Sequence, residues 1–140
     1  MKFSLESNHK HARAGRLSVN NKTINTPAFM TIGTYGSVKT MDTFDLKKCN
    51  VEIILSNAFH LMLRPGTALI EKFGGLHQLM NWDGLILTDS GGYQVFSLGK
   101  DIKISDVGAE FRSPFNGDKV LMTPEISIDV QTKILSLIHI

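Results

Sequence analysis

The stretch LILTDSGGYQVFSL, residues 85–98, holds the residue types best suited to chemistry. An apolar run ends in Asp89 and Ser90, which are followed by Gly91 and Gly92. A carboxylate can accept hydrogen bonds from ring N–H groups or move a proton, and glycines let the backbone approach a planar ligand. The stretch therefore predicts a binding site for such a ligand. A strand-to-helix turn capped by the aspartate or the serine would explain the same residues.

Further candidate residues lie within this stretch and at the end of the preceding strand. Tyr93 could stack on an aromatic base, or it could be an ordinary half-buried tyrosine. Gln94 is predicted to support the site rather than to contact a ligand. Asn57, at the end of the preceding strand, is a candidate to orient Asp89. His60 fits a buried histidine with satisfied hydrogen bonds better than a catalyst.

Composition and motifs exclude several classes of protein. The 140 residues are 42% hydrophobic and 20% charged, typical of one globular domain. No Gly-x-Ser-x-Gly elbow or phosphate-binding loop supports a serine hydrolase or a nucleotide triphosphatase. Cys49 is the single cysteine, and His9 and His11 make no convincing metal pair, so we expect no metal site in this chain. Without a membrane-length apolar run or a signal sequence, the chain is expected to be cytoplasmic, with no membrane partner.

Charge is unevenly distributed along the chain. Residues 1–48 hold eight Lys or Arg against three Asp or Glu, whereas residues 51–140 hold seven against ten. A basic first third could bind a polyanion such as RNA. A solvated surface is the simpler explanation of an imbalance this small.

Apolar strands alternate with helices over the first 90 residues. This alternation predicts a parallel α/β sheet or barrel, whose functional edge lies where the carboxyl ends of the strands meet their loops. The predicted buried strands are residues 28–32, 53–55 and 85–88, and the predicted helices are residues 41–50, capped by Asp42 or Thr43, and residues 66–73, with one more turn at 76–80.

Antiparallel β-structure is predicted at both ends of this α/β region. Residues 3–25 contain short β-like pieces around an Asn20-Asn21 turn. Residues 100–122 alternate polar and apolar around Asn116-Gly117, which predicts a β-hairpin inserted on the functional face. Thr123 then predicts the N-cap of a helix.

Several segments resemble the bacterial tRNA-guanine transglycosylases, the queuine tRNA-ribosyltransferase family. They are ARAGRL, TPAFMTIGTYGSVKTM, IILSNAFHLMLRPG, LILTDSGGYQVFSL and FRSPFNGDKVLMTPEISIDVQ, in the family's order. TDSGGYQVFSL combined with FRSPFNGDK and TPE is highly specific. The resemblance implies an α/β fold in which residues 1–134 are the amino-terminal part of a (β/α)8 TIM barrel, with an opening antiparallel β segment and the inserted β-hairpin.

The resemblance also implies a function. The family exchanges guanine at the tRNA wobble position for 7-aminomethyl-7-deazaguanine, preQ1, by double displacement at ribose C1′, in queuosine biosynthesis. This is the activity of a pentosyltransferase. The residues carried over are Asp89 as the acid/base group that also reads ring N–H groups, Ser90, Gly91 and Gly92 around the base, Tyr93 stacked on it, and Asn57 holding Asp89.

Partners and alternatives follow from the same resemblance. The implied partners are tRNA, guanine and preQ1. The full-length family is homodimeric and binds zinc. The zinc ligands and the nucleophilic aspartate of the family are absent from this chain. Tyr35, where eukaryotic relatives carry glutamine, favours preQ1 over queuine. A queuine-inserting enzyme and a non-catalytic tRNA-binding partner subunit on the same barrel remain alternatives.

The last six residues depart from the family pattern. Residues 135–140, LSLIHI, match a translation of a transposon end used to prepare sequencing libraries. We expect them to be a non-native tail, an adapter or truncation scar. Because three strands of an eight-stranded barrel leave edges unpaired, we also expect the 140-residue polypeptide alone to be unstable and inactive.

Overall fold

The computed structural model describes residues 1–98 and 100–134 as a mixed α/β structure. The predicted tail, residues 135–140, lies outside the described residues. The elements are β1 (Lys2–His9), β2 (Ala12–Val19), β3 (Lys22–Thr26), β4 (Thr31–Ile32), α1 (Thr43–Lys48), β5 (Ile53–Ser56), α2 (Ala58–Leu63), α3 (Thr67–Lys72), α4 (Leu76–Met80), β6 (Leu85–Thr88), α5 (Gly92–Leu98), β7 (Lys100–Ser105), β8 (Gly108–Arg112), β9 (Lys119–Met122) and α6 (Pro124–Ile134).

The first three strands form an antiparallel sheet in the order β1-β2-β3. The predicted Asn20-Asn21 turn joins β2 to β3, and Asn20 has a φ of 51°. Strand β1 is missing from the sequence-based prediction, and all eight of its residues are exposed. Only Phe3 and Leu5 alternate with polar residues, so the period of two covers a small part of the strand.

Strands β4, β5 and β6 form a parallel sheet in chain order. The prediction is confirmed for β5 and β6, where Ile54 and Ile86 pair and are at most 1% exposed. It is wrong in extent for the first strand, since β4 covers Thr31–Ile32 instead of residues 28–32, and Ile32 is 61% exposed. Among the described residues β4 pairs with β5 alone, so its other edge lacks the neighbour that would extend and bury it.

The opening sheet packs across the amino-terminal end of the parallel sheet. Val19 of β2 and Ile24 of β3 share an apolar cluster with Ile53 and Leu85, which begin β5 and β6. All four side chains are at most 5% exposed. Because apolar contacts seal this end, the carboxyl end, where Asp89 follows β6, is the end at which polar groups can meet a ligand.

Local capping explains where several helices begin. The Asp42 carboxylate accepts the Asp45 N–H at 2.8 Å, so Asp42 rather than Thr43 caps α1. The helix predicted from residue 66 is present as α3, and the additional turn is α4. Helix α2 is absent from the prediction, in which this segment continues the strand. Asn57 ends the strand by capping α2 with its side-chain oxygen.

A three-stranded antiparallel sheet stands in place of the predicted β-hairpin. Strand β8 pairs with both β7 and β9, and Asn116-Gly117 lies in the loop between β8 and β9. The prediction misses one reversal because the turn at Asp106-Val107 lacks the Asn-Gly or Asp-Gly pair that marks a hairpin.

Helix α6 completes the main core. The Thr123 hydroxyl accepts the Ile126 N–H at 3.2 Å, which confirms the predicted cap. Val130 and Ile134 pack in one apolar cluster with Ile70 of α3 and with the parallel sheet. None of the helices within residues 1–98 and 100–134 is both long and apolar enough to cross a membrane.

We predict that His77 makes stability fall as the pH falls below about 6.5. Burial lowers the pKa of His77 below 6.5 and outweighs the Gly84 carbonyl, 3.1 Å from Nε2, which raises it. Below pH 6.5 the unfolded chain therefore binds more protons than the folded chain, and acid favours unfolding; above that pH the effect vanishes. In the complete reading frame containing this chain, His77→Gln should reduce the loss in urea midpoint between pH 7 and pH 5.

The control for this measurement is His11→Gln, in the exposed turn between β1 and β2. It removes a histidine without touching the contact with Gly84. An unchanged pH dependence in His77→Gln would contradict the prediction.

Candidate active site

Asp89 lies at the carboxyl end of the parallel sheet, directly after β6. Its backbone N–H donates to the Ser56 carbonyl of β5 at 3.4 Å. This bond continues the pairing of the two strands by one residue. The partly exposed side chain is therefore held beside the end of β5, where α2 begins.

The Asp89 carboxylate accepts four hydrogen bonds. Oδ1 accepts the backbone N–H groups of Ala58, at 3.1 Å, and Gly91, at 3.2 Å. Oδ2 accepts Nδ2 of Asn57, and Nε2 of Gln94 at 3.2 Å. None of the ion pairs among residues 1–98 and 100–134 includes Asp89. An ionised carboxylate, which only accepts hydrogen bonds, matches this set of donors, and N–H dipoles rather than a cation balance its charge.

Asn57 joins the cap of α2 to the Asp89 carboxylate. Its Oδ1 accepts the His60 N–H at 3.0 Å, and its Nδ2 donates to Asp89. The His60 N–H needs an acceptor and the carboxylate needs a donor, so both contacts fix the same orientation of the amide. The predicted role of Asn57 in orienting Asp89 has a geometric basis in these two bonds.

The two glycines differ in what they make possible. Gly91 has a φ of +76°, and an added Cβ would lie 3.0 Å from the backbone nitrogen of Phe59. Its lack of a side chain therefore lets the loop pack against α2. An added Cβ at Gly92 would meet only the Ser90 hydroxyl, at an ordinary 3.5 Å. Of the two, Gly92 is the one that leaves open space beside the loop.

Helix α5 and the loop before it carry the remaining predicted site residues. Gln94 turns its amide back onto Asp89, as its predicted supporting role requires. The Ser90 hydroxyl accepts the Gly92 N–H at 3.4 Å, at the start of α5, as in the alternative strand-to-helix turn. Tyr93 is 75% exposed rather than half-buried, so its ring is accessible to a ligand.

His60 lies beside this carboxylate on α2. Burial lowers the pKa of His60 below 6.5, and the negative charge of Asp89 raises it by less. The imidazole packs edge-on against Tyr35, with ring centroids 4.9 Å apart, and against Phe59. Its Nδ1 is buried without a hydrogen-bond partner among the described residues, in contrast to the satisfied histidine expected from the sequence.

Comparison with known proteins identifies the family. The family model described as queuine tRNA-ribosyltransferase matches residues 7–140. The chain belongs to this family. Proteins named queuine tRNA-ribosyltransferase from Herminiimonas arsenicoxydans and Nitrosomonas eutropha are 53% and 56% identical to it over 131 residues, which is 94% of the chain.

The chain spans about a third of the length of these queuine tRNA-ribosyltransferases, 35% of the first and 36% of the second. The residues quoted for the resemblance are thus found in a true member of the family. The described part of that member brings Asp89, Asn57, Gly91 and Gln94 into one hydrogen-bonded group.

Two contacts of the group escape sequence analysis. The Ala58 N–H is a backbone donor, which no residue type signals. Ser127 of α6 donates to the Ser90 carbonyl at 3.1 Å across 37 residues of sequence. The sequence signals this contact only weakly, in that Ser127 lies four residues after the Thr123 cap, at the end of the helix that faces this loop.

The family resemblance implies zinc ligands that lie outside this chain, and the described residues offer no other metal site. Within residues 1–98 and 100–134, no three His, Cys, Asp or Glu side chains form a group that could hold a metal ion. Cys49 is exposed and is the C-cap residue of α1.

We predict that Gly91→Ala destabilises the protein far more than Gly92→Ala. Alanine at position 91 must adopt a left-handed conformation, at a cost of about 1–2 kcal/mol, and press on the Phe59 backbone, at a further cost of about 1–3 kcal/mol. Alanine at position 92 meets ordinary contacts. Denaturant unfolding of both variants in the complete protein measures the difference, and equal midpoints would contradict it.

Proposed function

We propose that the protein containing this chain is a tRNA-guanine transglycosylase, a pentosyltransferase that replaces guanine at the tRNA wobble position with preQ1. The observation that carries the proposal is the Asp89 carboxylate, held by four N–H donors at the carboxyl edge of a parallel sheet. Membership of the queuine tRNA-ribosyltransferase family supports the reaction class.

For the whole protein we propose a (β/α)8 barrel. Strands β4, β5 and β6 would be its first three strands, with residues 1–134 as its amino-terminal part and the sheet of β7, β8 and β9 as an insertion. The exposed edge at Ile32 supports the proposal, because closure of a barrel would supply the missing neighbour.

In the proposed reaction Asp89 manages the protons of the exchanged bases. A nucleophilic aspartate outside this chain attacks ribose C1′, the C1′–N9 bond breaks, and guanine departs as its ring takes up a proton. The incoming base gives up a ring proton and attacks C1′, which releases the nucleophile. Because Asp89 is ionised in the free site, it would have to take up a proton from solvent before guanine leaves. It would then give this proton to guanine and take one from the incoming base, as the acid/base group of retaining glycosidases does.

Binding of a base at Asp89 requires donors to be exchanged. A carboxylate has about four acceptor sites, and four protein N–H groups already occupy them. A ring N–H must therefore replace or share one of them. The side-chain amide of Gln94, whose one hydrogen bond goes to Asp89, can rotate away. Asn57 is fixed by its cap of α2, and the backbone donors are fixed by the chain.

The residues around Asp89 complete the proposed base site. Tyr93 would stack on the extruded base, since its ring is accessible and aromatic stacking contributes about 1–3 kcal/mol per base. Ser90 and the backbone on the open side of Gly92 would line the edge of the base. Gly91 would act indirectly, by allowing the loop to approach α2.

The finer assignments of substrate and assembly belong to the same proposal. Tyr35, at the position where eukaryotic relatives carry glutamine, supports preQ1 as the incoming base rather than queuine. Its ring packs on His60, near the site. We also propose a cytoplasmic homodimer whose substrate is tRNA. Zinc would be held by residues outside this chain, and no step described here uses it.

The decisive experiment is exchange of labelled guanine into tRNA by the complete reading frame. We predict that Asp89→Asn lowers the rate about 10²- to 10⁴-fold, the range typical of a lost acid/base group. Asp83→Asn is the control, because Asp83 pairs with Lys47 on the surface before β6. It should exchange at the parental rate.

Two outcomes would contradict the proposal. Parental activity in Asp89→Asn would remove Asp89 from the reaction. A folded parent that binds tRNA but exchanges no base would favour the non-catalytic partner subunit.

A further inference from the structure

A serine on α6 reaches the loop that follows Asp89. The Ser127 hydroxyl donates to the backbone carbonyl of Ser90 at 3.1 Å. The peptide unit that contains this carbonyl also contains the N–H of Gly91, which donates to Asp89 Oδ1 at 3.2 Å. One peptide plane is thus held from both sides, by α6 at its oxygen and by the carboxylate at its nitrogen.

Gln131 holds the serine in turn. Its Nε2 donates to the Ser127 hydroxyl oxygen at 3.3 Å and to the Ser127 carbonyl at 3.2 Å. A carbonyl can only accept, so the amide nitrogen must face Ser127. Because the serine oxygen accepts from Gln131, its single proton is directed to Ser90.

The burial of Gln131 indicates that these bonds matter. The residue is 2% exposed, and its Oε1 has no hydrogen-bond partner among the described residues. An unsatisfied buried acceptor is unfavourable, and an apolar side chain of similar size would pack at this position without that cost. What glutamine adds is the pair of donors to Ser127.

The Ser90–Gly91 peptide is also one that could rotate. Gly91 has a φ of +76°, and glycine populates positive and negative φ about equally. Rotation of the peptide plane would point its carbonyl, instead of its N–H, toward the carboxylate. An oxygen facing an ionised carboxylate would repel it and turn it away from its other donors.

We propose that Ser127 and Gln131 are positioning residues that lock the Ser90–Gly91 peptide and thereby fix the orientation of the Asp89 carboxylate. As to catalysis, this inference rests on the proposed function, since it acts through Asp89. The structural part of the inference, that the peptide is locked, does not depend on the proposed function, because it can be measured without enzyme turnover.

The structural test is hydrogen exchange of the Gly91 amide in the complete protein labelled with 15N-glycine. Ser127→Ala should accelerate this exchange about 2- to 12-fold, the range set by the net contribution of one hydrogen bond. Thr132→Ala is the matched control, because the Thr132 hydroxyl donates to a backbone carbonyl of the same helix, at Ile128, without reaching the loop. Unchanged Gly91 exchange in Ser127→Ala would overturn the proposal, whatever the enzyme's activity.

The kinetic test separates positioning from stability. Gln131→Leu should keep or raise the unfolding midpoint, yet lower kcat for guanine exchange about 10- to 100-fold with the KM for tRNA unchanged. Ser127→Ala should lower kcat similarly, and Ser127→Thr, which keeps a hydroxyl, should restore most of it. Parental kcat in both Ser127→Ala and Gln131→Leu, beside an inactive Asp89→Asn, would overturn the lock and leave the proposed function standing.

Discussion

The site depends on one constraint: within residues 1–98 and 100–134, the carboxylate of Asp89 is held by N–H dipoles and by no cation. Four N–H groups from the end of β5, the start of α2, the following loop and α5 converge on two oxygens. Hydrogen bonds to a charged group contribute about 1.5–3 kcal/mol each. The end of the strand, the cap of α2 and the Gly91 turn therefore have to form together.

The fold meets this constraint by giving the two ends of its parallel sheet different chemistry. Val19 and Ile24 of the opening sheet cover the first residues of β5 and β6 with apolar contacts. At the other end, Asn57 turns the chain from β5 into α2 and aims an N–H group at Asp89. One sealed end and one polar end give a ligand a single side from which to approach the carboxylate along the sheet.

Features set by local chemistry could be predicted from the sequence, and features set by distant partners could not. Strands β5 and β6 are short buried runs, and α6 begins at a Thr-Pro pair, so each carries its own signal. The exposure of Ile32 and the bond from Ser127 depend on what lies across the fold. Asp89 stands out in the sequence because its setting between a strand and two glycines is local. Two of its four donors, at Ala58 and Gly91, are backbone N–H groups, which no residue type signals.

Amide donors suit a site that must exchange hydrogen bonds with its ligand. A lysine or arginine beside Asp89 would balance the negative charge of the carboxylate. Its charge-assisted hydrogen bond would be stronger than one from the ring N–H of a neutral base, so the base could not displace it. An amide N–H and a ring N–H are similar donors, so the side chain of Gln94 could yield to a base at little net cost. The backbone donors of Ala58 and Gly91 stay in place and keep the carboxylate oriented during the exchange. Neutral His60, whose pKa is lowered by burial, preserves this arrangement near pH 7 because it adds no positive charge beside Asp89.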